Sequence, residues 1–484
     1  MTLRRFGTVV LALVLAAQVA VAQAGTTSPA IALPSDSDIA NILAQRIDAL
    51  AGQEDGIGIV VGIIGPAGRK VIAYGHRSQR DSRELDGDTI FELGSIGKVF
   101  TALLLADMVR KGQVALDDPV AKYLPSSVTI PEYNGHAITI ADLATHTSGL
   151  PFMPDELPVL SESAARKYGA PQLYQFLARY KLTGAPGLDW QYSNLDYWLL
   201  GQAETARAGM DFEKLVRTRI AAPLQMNGTV VSLTLPLKLK FRVAPGHDAS
   251  LQIPPPSSAL SIYSAMPSAG LGAVSSVNDM LTFLAVCLGY QQSPLAPSIA
   301  LMLNTQRPMD DSSSQALGWV VIGKGDDRLI THEGGTWGYA SYIAWDPAAR
   351  VGVVVLSNQI TPVGDIALHL LRPNMPLDHP TPWTHKEIRL DSAALDVYAG
   401  DYAAEDVGIF KIARDHNLLS IEMPPDWGLP KLRLHPQSRT DFFVAELPAH
   451  VTFQIAGDGH VSGALVYPPR GQHGIPAKRT SSIH

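Results

Sequence analysis

Between Phe91 and Lys111 the chain passes from a short extended run, Phe91-Glu92-Leu93-Gly94, into Val99-Phe100-Thr101-Ala102-Leu103-Leu104-Leu105-Ala106, which holds no charge and shows no polar face. This pattern predicts an α-helix running to about Lys111. Arg110 and Lys111 complement the dipole in its last turn, and Gly112 sits where a left-handed cap is favoured. A helix apolar on every side belongs in the interior of a fold.

Elsewhere the patterning alternates between strands and helices. Ile57 to Ile64, the turn Gly65-Pro66-Ala67-Gly68, and Lys70 to Tyr74 form a predicted β-hairpin. Thr139 opens a helix with Asp142 three residues on as its capping-box partner, and His146-Thr147-Ser148-Gly149-Leu150-Pro151 ends it. Ser276-Val277-Asn278-Asp279 starts another helix in the same way. The irregular stretch from Pro151 to about Tyr180 is expected to shape a cleft wall. Strands follow at Leu317–Ile322, Leu329–His332, Tyr339–Trp345 and Val351–Leu356. Antiparallel strands from both ends flanking a helical middle indicate an α+β domain, placed at residues 30–372.

Pro373-Asn374-Met375-Pro376 through Pro380-Thr381-Pro382 reads as a connector, residues 373–389. Beyond it, short strand-like runs at Gly408–Ile412, Leu418–Ile421, Asp441–Val444, Val451–Ile455 and Gly463–Tyr467 predict a β-rich, barrel-like domain over residues 390–484. Nothing in that segment has the character of an active site.

Composition narrows the class. With 484 residues, two domains are expected. The formal net charge is −7 and there is no long basic run, which argues against a nucleic-acid partner. Cys287 is the only cysteine, lies in an apolar run, and reads as a small buried hydrophobe. Arg4 and Arg5, the apolar segment Phe6 to Ala17 and the small residues after it describe a secretory signal peptide over residues 1–24, with cleavage after Ala22 or Ala24. Its removal takes the formal charge from −7 to −9 and leaves an exported, periplasmic or secreted protein without a stable membrane span. No Gly-x-Ser-x-Gly segment marks an α/β-hydrolase, and no His-Glu-x-x-His helix marks a zinc enzyme.

The candidate chemistry begins at the mouth of the apolar helix. Ser95 and Lys98 are three residues apart and share a helix face. A serine hydroxyl needs a base to become a nucleophile. A lysine held in apolar surroundings near the positive end of a helix dipole has its neutral amine favoured. Two further segments suit this pair: Trp190-Gln191-Tyr192-Ser193-Asn194 before an apolar helix, and His332-Glu333-Gly334-Gly335 at a strand end.

These three elements, in this order, resemble the penicillin-recognising serine hydrolases, in the branch of class C β-lactamases, D-Ala-D-Ala carboxypeptidases and related esterases. Phe91-Glu92-Leu93-Gly94-Ser95 and His146-Thr147-Ser148-Gly149-Leu150-Pro151 are also similar to family segments, and the likeness covers about residues 38 to 370. The resemblance implies a β-lactamase/transpeptidase-like domain with a lipocalin-like barrel appended. It implies an acyl-Ser95 intermediate, with Lys98 and Tyr192 as base pair and the N–H groups of Ser95 and Gly335 as oxyanion hole. Asn194, His332, Glu333 and Gly334 would contact the substrate, and His146 would be structural. No cofactor or metal is implied.

His332 and Glu333 depart from the Lys-Thr of class C enzymes. A histidine is mostly neutral at pH 7, so turnover of carboxylate-bearing substrates is expected to fall as pH rises through about 6 to 8. Glu333 penalises such substrates if it faces the cleft, and raises the His332 pKa if it lies behind the strand. The expected substrate is a β-lactam or a D-Ala-D-Ala-like peptide. The alternatives are an esterase or amidase for another small acyl substrate, and a slowly acylating penicillin-binding receptor. Oligomeric state is left open.

Overall fold

The computed structural model describes residues 33–482, apart from 51–55, 79–80, 155–167, 232–234, 248–271, 337, 379–384, 406, 425–430, 445–448 and 468–473. The leader at 1–24, part of the expected cleft wall and the middle of the connector therefore lie outside the described residues.

A nine-stranded antiparallel sheet organises the larger domain. Its N-terminal strands are β1 (Gly58–Gly65), β2 (Gly68–Ser78) and β3 (Asp81–Glu84). Its later strands are β4 (Gln306–Pro308), β5 (Ser313–Ala316), β6 (Trp319–Ile322), β7 (Leu329–Gly335), β8 (Ala340–Asp346) and β9 (Val351–Ser357), in spatial order β3-β2-β1-β9-β8-β7-β6-β5-β4. The predicted hairpin is β1–β2, and β1 pairs with β9, Ile59 opposite Ser357, so both ends of the domain meet in one sheet.

Strand alternation builds two cores. Val60 and Ile64 of β1 with Val354 and Leu356 of β9 face one core, which contains α2 (Gly97–Arg110), α4 (Asn194–Ala208) and α5 (Val277–Cys287). Ile59, Val61 and Ile63 with Val353 and Val355 face the other, covered by α1 (Asp36–Leu50) and α6 (Gly364–Leu371). The buried Arg46–Asp365 ion pair ties α1 to α6, and Arg46 also donates to the Pro362 carbonyl at 3.0 Å.

Helix α2 is the buried element its sequence describes, with every residue from Gly97 to Met108 inside and Gly112 at φ +65°. Thr139 caps α3 (Ile140–Ala144) in a full capping box with Asp142, and Ser276 accepts from the Asp279 N–H at the start of α5. Cys287 lies at the end of α5, partly buried.

The C-terminal strands close into an eight-stranded barrel: Gly400–Ala404, Gly408–Asp415, Leu418–Glu422, Leu432–Pro436, Asp441–Phe443, His450–Ile455, Val461–Tyr467 and Ile475–Ser482. Its first strand pairs with its last, Gly400 opposite Ser482, so no edge is left open. Tyr402, Phe410, Leu434, Phe442 and Phe453 fill the interior. The barrel has three more strands than its apolar runs suggest; Leu432–Pro436 and Ile475–Ser482 include proline and charged residues, which hide their pattern.

Candidate active site

Ser95 sits in a single 3-10 turn, Gly94–Ile96, between the strand Ile90–Glu92 and α2. Gly94 makes this junction possible. Its φ of +51° is left-handed, and a Cβ there would stand 2.6 Å from the Gly335 nitrogen. Gly334 is equally constrained, since a Cβ would collide with the Leu93 carbonyl. Ser341 Oγ donates to that same carbonyl at 2.8 Å. The turn carrying Ser95 is thus pressed directly against the end of β7. The pairing of β6 with β7 stops at Thr331, so the edge from His332 to Gly335 extends past β6 beside Ser95.

Lys98 is fully buried, and its Nζ lies 2.9 Å from Ser95 Oγ and 2.8 Å from Asn194 Oδ1. Tyr192 donates its hydroxyl to Ser95 Oγ at 2.8 Å. The alcohol, the amine and the phenol therefore converge on one oxygen, as the three sequence elements imply. Asn194 is the first residue of α4, whose cap is Ser193, and its side-chain oxygen accepts from Lys98.

The two base candidates are driven apart. Burial lowers the Lys98 amine to about 7. Loss of water pushes the Tyr192 phenol well above its usual value of 10.0; the Ser95 hydrogen bond opposes this and the Glu333 charge adds to it. The implied base pair is split: the lysine, not the tyrosine, is the group whose basic form is accessible.

His332 corrects a second expectation. Burial, then the neighbouring Lys98, holds its imidazole down at about 3, and its Nδ1 lies 2.7 Å from the Glu333 carbonyl oxygen. It is neutral throughout the range from pH 6 to 8 and cannot produce a titration there. In register Glu333 stands opposite Tyr342, on the face of β7 away from His332, yet its charge still reaches the Tyr192 phenol.

The profile of the family described as Beta-lactamase matches residues 43–372. The chain belongs to the β-lactamase family. Among curated relatives, a β-lactamase of Escherichia coli (strain K12) is 25% identical over 360 residues, covering 67% of this chain and 90% of that protein. The D-alanyl-D-alanine-carboxypeptidase/endopeptidase AmpH of the same strain is 28% identical over 303 residues, 59% of this chain and 74% of its own. A penicillin-binding protein of Bacillus subtilis (strain 168) is 27% identical over 420 residues, 81% of this chain and 89% of its own. Of solved structures, a class C β-lactamase from Rhodobacter sphaeroides superposes with a TM-score of 0.55 at 25% identity, covering 69% of this chain and 98% of that one. With this membership the β-lactamase-family protein is a serine hydrolase of the β-lactamase/DD-peptidase type.

Several residues around the site were not assigned to it by sequence. Phe152 stacks on Tyr192 at 6.1 Å between ring centroids, and His146, treated only as structural, lies against the same ring at 4.4 Å. Asp196, buried below, had no role at all. Its one legible signal was the Ser193-x-x-Asp196 spacing, which suggests a capping box; Ser193 does cap α4 by accepting from the Asp196 N–H, but the carboxyl lies against His146 and Ser148 instead.

Proposed function

We propose that the protein is an exported hydrolase that opens a β-lactam or a D-Ala-D-Ala-like amide through an ester on Ser95. The observation supporting this is the pair of hydrogen bonds to Ser95 Oγ, 2.9 Å from the Lys98 amine and 2.8 Å from the Tyr192 hydroxyl. Neutral Lys98 takes the serine proton as Oγ attacks the carbonyl carbon. The negative charge that develops is met by the N–H groups of Ser95 and Gly335, held on backbone that Gly94 and Gly334 lock together. Tyr192, whose phenol keeps its proton, passes one to the departing nitrogen as the tetrahedral intermediate collapses, and Lys98 returns the serine proton to it. Water then attacks the ester by the same route. Asn194 orients the Lys98 amine and lines the substrate position with Gly334. The apolar leader after Arg4 and Arg5 supports export, and among the described residues no helix is long and apolar enough to cross a membrane.

A second reading, an esterase or amidase for an acyl substrate without a carboxylate, is favoured by the β7 end. Neutral His332 and anionic Glu333 supply no cation for a carboxylate. A panel of chromogenic cephalosporin, D-Ala-D-Ala peptide and p-nitrophenyl ester separates these. Preferred turnover of the first two supports the leading reading. Cleavage of the ester alone transfers it to the second, and a stable penicillin adduct without turnover of any substrate indicates a receptor.

A further inference from the structure

The segment from His146 to Phe152 forms the bed on which Tyr192 lies. The His146 carbonyl accepts from the Gln191 N–H at 2.7 Å, the Pro151 carbonyl from Ser193 Oγ at 2.7 Å, and the Phe152 carbonyl from the Asn194 N–H at 3.0 Å. His146 itself has a left-handed φ of +56°, a conformation uncommon outside glycine that sets its ring against Tyr192. At the centre lies a chain of buried polar groups, each at most 1% exposed: Ser148, Asp196 and His146.

The hydrogen positions in this chain follow from its donors. The Leu150 N–H donates to Ser148 Oγ at 2.9 Å, and Ser148 in turn donates its proton to Asp196 Oδ1. The Ser193 N–H donates to His146 Nδ1 at 3.2 Å, so Nδ1 is an acceptor and the imidazole carries its proton on Nε2. Asp196 Oδ2 lies 3.1 Å from this same Nδ1, on the single lone pair that the Ser193 N–H also shares. Two acceptors facing each other there would be repulsive in a buried site, and one proton on Oδ2 resolves it.

We infer that Asp196 is an un-ionised carboxylic acid that donates to His146 Nδ1, and that the chain Ser148–Asp196–His146 positions Tyr192 and the Ser193 N–H for the reaction at Ser95. None of the three touches the reacting atoms; they act through Tyr192 and the Ser193 N–H. The charged and titratable groups around Asp196 are Lys98 from α2, Asp142 from α3, and His146 and Tyr197. Burial raises the carboxyl well above the usual carboxylate range, in agreement with the hydrogen-bond pattern.

The kinetic arm of the test rests on the hydrolase reading; the spectroscopic arm does not. An asparagine reproduces one donor and one acceptor, so Asp196→Asn is expected to retain the wild-type acylation rate and the wild-type pH midpoint. Asp196→Ala removes both, and its acylation rate falls about 100-fold with KM little changed, the size of effect a small misplacement produces. In the infrared, wild type minus Asp196→Asn shows the carbonyl stretch of an un-ionised carboxylic acid at neutral pH. Three results overturn the inference: absence of that band, an Asp196→Asn enzyme as slow as Asp196→Ala, or an acid-limb midpoint displaced downward in Asp196→Asn by loss of an anion near Lys98. If the wild type is never acylated at Ser95, the hydrolase reading fails while the infrared band still decides the state of Asp196.

Discussion

Lys98 and Tyr192 end on the same atom: both hydrogen-bond Ser95 Oγ, and the Lys98 Nζ lies 4.9 Å from the centre of the Tyr192 ring. The two groups have the same partner but opposite proton affinities. Burial lowers the amine to about 7 and raises the phenol, which in the proposed reaction divides the roles of base and proton donor between them.

Acylation should therefore rise with pH. The reactive form carries neutral Lys98, so the rate is low well below about 7 and reaches a plateau above it. This is the reverse of the decline expected from a titrating His332, which is held at about 3. Stopped-flow acylation from pH 5 to 9 checks the sign. Lys98→Met, which keeps the apolar stem, should lower the rate by about 10²–10⁴ and remove the inflection.

Tyr192→Phe keeps the ring between His146 and Phe152 but loses the O–H. Its thermal stability should stay near wild type while kcat falls by about 10²–10⁴. Single-turnover kinetics locate the loss, since a donor to the leaving group matters most for a poor one: amides should suffer more than p-nitrophenyl esters.

How much of this was legible beforehand follows from the kind of signal each residue leaves. Ser95 and Lys98 could be found because they stand three residues apart at the start of an apolar helix, Tyr192 because its segment resembles a family motif, and the sheet because β1 and β9 are unbroken apolar runs. The proton states of Tyr192 and His332 could not. Both owe theirs to burial created by distant segments, which no local spacing records, whereas the neutral amine of Lys98 follows from its apolar helix. The barrel was visible as a class but not in its strand count, because strands such as Leu432–Pro436 mix Arg433 and His435 with apolar residues.

Gly94→Ala tests the backbone junction. The substitution puts an alanine at φ +51° with its Cβ 2.6 Å from the Gly335 nitrogen. A cost of about 1–3 kcal/mol in stability is expected from the strained backbone, together with loss of acylation as the turn moves off β7. Equilibrium denaturation and acylation rates measured side by side check both.

Glu204 predicts a stability effect away from the site. It is 1% exposed, neither carboxyl oxygen has a hydrogen-bond partner among the described residues, and burial raises it well above its ordinary 4.5, against a smaller pull from Arg219. An acid that keeps its proton when folded favours the native state at low pH, and that advantage is lost as pH rises above the unfolded value of 4.5. Glu204→Gln should gain about 1–3 kcal/mol at pH 8 and little at pH 4, read from melting curves at both.

At the end of β7, Glu333→Thr removes an anion whose field reaches Tyr192. Its kcat/KM for carboxylate-bearing substrates should rise about tenfold, with p-nitrophenyl esters of neutral acids unaffected, as a change of about 1.4 kcal/mol in one charge interaction gives. Steady-state kinetics with a matched pair of substrates decide it.

The most direct measurement is rapid acid quench of the protein with a fluorescent penicillin or an activated ester, followed by intact mass and peptide mapping. The expected result is one acyl group, on the peptide containing Ser95, formed by the wild type and absent from Ser95→Ala. An adduct on another residue, or hydrolysis by Ser95→Ala at the wild-type rate, would contradict it.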